Sequence, residues 1–69
     1  MTRDQYISAI ADLNEGCQVV AEVRCGIMTR LMRGKFQPDK RTPLLLRVRQ
    51  KREFTAVPYR RVISVREVK

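Results

Sequence analysis

The residues best placed to do chemistry in this sequence are cations. Arg47, Arg49 and Lys51 alternate through residues 44–51. On a strand, all three project from one face over about 13 Å. Lys40 and Arg41 precede them, and Arg60 and Arg61 follow a break at Pro58. Lys and Arg on such a ridge can neutralise several phosphates, and the released counterions drive binding. Arg adds bidentate phosphate contacts. Tyr59, beside two arginines, is the aromatic nominated to stack on a base. The expected binding set is therefore Lys40, Arg41, Arg47, Arg49, Lys51, Tyr59, Arg60 and Arg61. Solubility and edge protection are the competing explanation for arginines on a strand face.

Other chemistry has little to work with. The chain has no histidine, the commonest general base. Ser8 and Ser64 lie outside any nucleophile-elbow context. A cysteine nucleophile needs an activating base nearby. Cys17 and Cys25 cannot alone complete a four-ligand zinc site. If one extended strand carries both, eight residues separate them by about 26 Å, far beyond the ~7 Å a disulfide tolerates. Both are expected as reduced thiols in a reducing compartment. Gly16, Gly26 and Gly34 are isolated, so no phosphate-cradling loop is present. The expectation is a protein that is not an enzyme and takes no metal and no cofactor.

The charge of +8 from 69 residues is unevenly placed. Residues 1–24 hold two cations against four acids, a balance of −2. Residues 25–69 hold thirteen cations against three acids, a balance of +10. The second part of the fold therefore carries the positive field, which suits a polyanionic partner. Residues 1–69 make one domain. A chain this short buries only about 60% of its unfolded surface, for a net stability of ~3–5 kcal/mol. The N-terminus lacks an apolar signal region and no apolar run approaches a membrane span, so a cytoplasmic protein without membrane insertion is expected.

These residues must be positioned by a helix and short strands. Thr2 is a helix N-cap and Gln5 completes a capping box. Tyr6, Ile10 and Leu13 recur at i, i+4 and i+7 with Ile7 alongside, predicting an amphipathic helix over about 3–13 that ends at Gly16. Residues 17–24 alternate as a half-buried strand. Cys25-Gly26 marks a turn, and residues 27–36 form a second strand with a bend or bulge at Gly34, where the buried face switches. Residues 37–43 are a loop and 43–50 the cleanest strand, with Leu44, Leu46 and Val48 inward. Lys51-Arg52 is a two-residue hairpin loop. Residues 53–57 and 61–68 complete five strands. The expected core is Ile10, Leu13, Val19, Val23, Leu31, Leu44, Leu46, Val48, Phe54 and Val65.

This order, a helix and then five antiparallel strands, predicts a mainly β small barrel, in which curling limits exposed edges. Val23-Arg24-Cys25-Gly26, Gly34-Lys35-Phe36, Asp39, Leu44-Leu45-Leu46 and then residues 57–65 fall in an order that resembles the Sm/LSm family of small SH3-like barrels. The resemblance implies that fold. In that family an asparagine follows the aspartate where RNA bases are gripped, whereas Asp39 is followed by Lys40-Arg41-Thr42, so the resemblance implies the fold more than the RNA pocket. Three functions stand open: a small basic nucleic-acid-binding domain that grips the backbone of RNA or DNA with weak sequence preference; an adaptor for an acidic protein partner; and a self-assembling homo-oligomeric ring.

Overall fold

A computed structural model of the chain describes residues 1–68. The elements run α1 (Arg3–Ala11), β1 (Gln18–Cys25), β2 (Met28–Phe36), β3 (Leu45–Gln50), β4 (Glu53–Pro58), the 3-10 turn Tyr59–Arg61 and β5 (Val62–Glu67). The strands form one antiparallel sheet in the order β4-β3-β2-β1-β5. The helix and the five antiparallel strands are those the sequence predicts. No ladder joins β4 to β5 among the described residues, so these strands are the two edges.

The capping box forms as read: the Gln5 amide donates to Thr2 Oγ1 at 3.2 Å, and the Thr2 amide donates to Gln5 Oε1 at 3.0 Å. Asp4 sits in the first turn, where the helix dipole favours an acid. The helix stops at Ala11, two residues earlier than expected. Gly16, with φ of 86°, serves the following turn, in which the Cys17 amide donates to the Asn14 carbonyl. That left-handed conformation costs glycine little.

One face of the sheet and the inner side of α1 enclose the core. Val19, Ala21 and Val23 alternate inward from β1, Met32 and Phe36 from β2, Leu46 and Val48 from β3, Val62 from β5, and Tyr6 enters from the helix. Burial pushes the Tyr6 phenol up from its ordinary pKa. Ile10, Leu13 and Val65 pack against this cluster at partial burial.

Three members of the expected core belong outside it: Leu44, half-buried just before β3 begins at Leu45, and Leu31 and Phe54. Leu31 is 68% exposed and Phe54 is 51% exposed. Each lies on the outward phase of its strand. In β2 the inward parity belongs to Met32 and Phe36, and it runs unbroken through Gly34. No bulge interrupts the β1–β2 register; the irregularity lies instead between β1 and β5, at Glu22/Val23. Gly34 serves close approach. A Cβ there would collide with the Arg49 carbonyl and lie 2.6 Å from Val48 Cγ1. Phe54 pairs with Arg49, an outward residue, and so shares its face.

Candidate nucleic-acid interface

The outer face of the sheet is built row by row from strand register. Gln18 pairs with Lys35, Lys35 with Arg49, and Arg49 with Phe54, forming one row across four strands. In the next row Val20 lies between Arg33 and Arg66. Val20 points outward yet is only 8% exposed, as expected where long arginine stems flank an apolar side chain.

β2 and β3 pair over a short stretch, at Lys35↔Arg49 and Phe36↔Val48. Beyond it the β3–β4 tip leaves the sheet, and an open groove of about 990 Å³ lies between that tip and β2. Arg33, Lys35, Arg49, Lys51 and Arg52 line it, with Glu53 as the one acid and Gln18, Gly34 and Gln50 as neutral lining. Five cations against one carboxylate give the groove a net positive field in a concave setting, where potentials are focused.

Local structure holds the tip in place. The loop is Lys51-Arg52, closed by Gln50↔Glu53 as the sequence predicts. Thr55 Oγ1 donates to Gln50 Oε1 at 3.1 Å and ties the two strands below the loop. Lys51 has φ of 55°, the one positive value outside glycine among the described residues. A left-handed conformation costs a side-chain-bearing residue about 1–2 kcal/mol.

The expected binding residues are distributed unevenly. Arg49 and Lys51 line the groove. Arg47 stands on the same outer face, two residues before Arg49, and its guanidinium is 3.4 Å from the Asp39 carboxylate. Arg41 reaches the same carboxylate at 3.8 Å, and its amide donates to Asp39 Oδ1 at 2.9 Å. Asp39 thus links the 37–44 loop to β3 and offsets part of the charge there. Lys40 is exposed on that loop. Tyr59, Arg60 and Arg61 form the 3-10 turn after Pro58, at the far end of β4 from the groove. The six residues of β4 span about 20 Å. The Tyr59 ring packs on Tyr6, with centroids 6.1 Å apart, and is half-buried against the core.

Sequence reasoning missed Arg33, Lys35 and Arg52 as groove residues, and Phe54 as an outer-face aromatic. Alternation within residues 28–36 carried the signal for the first two, since Met32 and Phe36 inward leave Arg33 and Lys35 outward. Phe54 holds two guanidinium neighbours, Arg47 at 5.0 Å and Arg49 at 5.9 Å from its ring centre.

Cys17 and Cys25 are both free, at opposite ends of β1. No group of three or more potential metal-ligating side chains occurs among the described residues. No helix among them is long and apolar enough to cross a membrane. No family model, curated protein or solved structure matches the chain.

Proposed function

We propose that this chain is a small nucleic-acid-binding domain whose groove between β2 and the β3–β4 tip holds the sugar-phosphate backbone. The observation that carries this reading is the groove's charge: Arg33, Lys35, Arg49, Lys51 and Arg52 converge there against Glu53 alone. Backbone contacts position a nucleic acid without reading its sequence, so the proposed binding is weakly sequence-specific. The lysine at the tip supports the same reading. A hairpin loop of two residues is cheapest with glycine or asparagine where φ is positive, yet this one places Lys51 there. Strained positions of this kind cluster at functional sites. A reducing, cytoplasmic setting belongs to the proposal too, since both thiols are free and Cys25 is exposed.

The test is fluorescence anisotropy with labelled oligonucleotides over a range of salt. If about four phosphates are neutralised, log affinity falls against log salt with a slope near −3.6 on duplex and near −2.8 on a single strand. Absence of binding to every nucleic acid at ~50 mM salt would contradict the proposal. An acidic protein would then be the partner that the groove's charge suits.

A further inference from the structure

The chain has four aromatic residues, two tyrosines and two phenylalanines. Three of them serve the interior. Tyr6 is 1% exposed and Phe36 is 4% exposed, and Tyr59 packs on Tyr6. Phe54 alone is turned out, at 51% exposure. Its position is fixed by register, because β4 sends Thr55 and Val57 to the side of Val48 and Leu46, and Phe54 to the side of Arg49.

We infer that Phe54 is a stacking platform for an unpaired base, so that the groove takes single-stranded nucleic acid in preference to duplex. This rests on the backbone-binding reading and deepens it. Three observations meet at the ring. It is exposed on the outer face, where a base can reach it. Two guanidiniums stand within 6 Å of its centre, an arrangement in which cation–π attraction holds ring and cations together. One of those guanidiniums belongs to Arg49, which also lines the groove. A strand lying in the groove therefore meets phosphate ligands and an aromatic face side by side, the combination single-strand binders use.

A duplex cannot use this ring without disruption. Its bases are already stacked on one another and offer their edges in the grooves, so a base face reaches Phe54 only after unstacking. An unpaired strand gives up a base face freely, and every base has one. The preference is accordingly for strandedness and not for sequence.

The test compares a labelled 12-nucleotide oligo-dT, the matching oligo-U and a 12-base-pair duplex, with wild type, Phe54→Ala, Phe54→Leu and Phe54→Trp. Wild type is expected to bind both single strands at least about tenfold more tightly than the duplex. Phe54→Ala should weaken single-strand binding about 5- to 150-fold, from the known range for losing one base–aromatic stack, and leave duplex binding unchanged. Phe54→Leu should behave as Phe54→Ala, since it keeps apolar bulk without a π-face. The chain contains no tryptophan, so Phe54→Trp supplies a unique reporter. It should retain single-strand affinity, and its fluorescence should be quenched on adding oligo-dT and not on adding duplex. If Phe54→Ala fails to fold in a circular-dichroism melt, the leucine and tryptophan variants decide the matter. Equal single-strand affinity for wild type and Phe54→Leu, or a tryptophan that oligo-dT does not quench, would overturn the inference while the backbone proposal stands. Absence of binding by wild type to any of the three ligands would overturn both.

Discussion

The β1–β2 and β3–β4 hairpins close with loops of the same length and opposite chemistry. In the first, Cys25 pairs with Met28 around Gly26-Ile27. In the second, Gln50 pairs with Glu53 around Lys51-Arg52. Each loop begins with a positive φ, 63° at Gly26 and 55° at Lys51. Glycine meets this requirement at little cost, whereas lysine meets it against a steric penalty. The first tip is also apolar and open to solvent, with Ile27 at 105% and Met28 at 68% exposure. The second is cationic and borders the groove. One hairpin is solved for conformation, and the other carries charge at a conformational cost. The difference supports placing binding at the second hairpin and not across the basic surface at large.

The largest expected effect lies where the two hairpins meet. Gly34→Ala drives a methyl group into the Arg49 carbonyl and Val48. Backbone cannot yield as a flexible side-chain end can, so a loss of about 3 kcal/mol is expected. In a domain of this size that removes most of the stability, and a urea titration of the variant should show a largely unfolded chain at low denaturant. A native-like midpoint would mean that the two hairpins do not approach each other so closely.

A smaller effect comes from exchanging the tips' solutions. Gly26→Lys should destabilise by about 1–2 kcal/mol, because the positive φ at that position gains a side chain. Lys51→Gly should stabilise by up to about 1 kcal/mol while weakening oligonucleotide binding through the lost cation. Urea midpoints read the first quantity and anisotropy the second. If Lys51→Gly leaves affinity unchanged, charge at the tip has no part in binding. If it destabilises, the strain assigned to Lys51 is absent.

Much of the fold was legible because local rules and tertiary packing agree. Thr2 and Gln5 cap the helix as their types require, and Lys51-Arg52 forms the predicted loop. Val19, Val23, Leu46 and Val48 are buried on the alternation that marks them. The failures occurred where both phases of a strand offer apolar residues. In β2, Leu31 competes with Met32, and only the pairing of Met32 with inward Ala21 decides between them. In β4, Phe54 and Val57 lie on opposite phases, so apolar type alone does not choose the inward one. Arg49, the partner of Phe54 across the ladder, turns it out. The groove was only half legible for the same cause. Arg49 and Lys51 follow one clear alternation, while Lys35 reaches them through β2–β3 pairing, with Arg33 two residues along the same strand, and sequence spacing does not encode that pairing. The arginine neighbours of Tyr59 mark it as a base-stacking candidate, yet Pro58 and the 3-10 turn bring it against Tyr6.

The central claim is that position, and not total charge, confers binding. Two double variants of equal net charge test it most directly. Lys35→Ala with Arg49→Ala removes two cations that line the groove, and Arg60→Ala with Arg61→Ala removes two cations from the far end of β4. Each is titrated against labelled oligo-dT by anisotropy at several salt concentrations. The groove pair should lose affinity sharply and flatten the log–log salt slope by about 1.4, while the far pair keeps a slope near that of wild type. Equal losses of affinity and slope in the two pairs would show that the domain attracts polyanions through its overall charge, and would contradict the account.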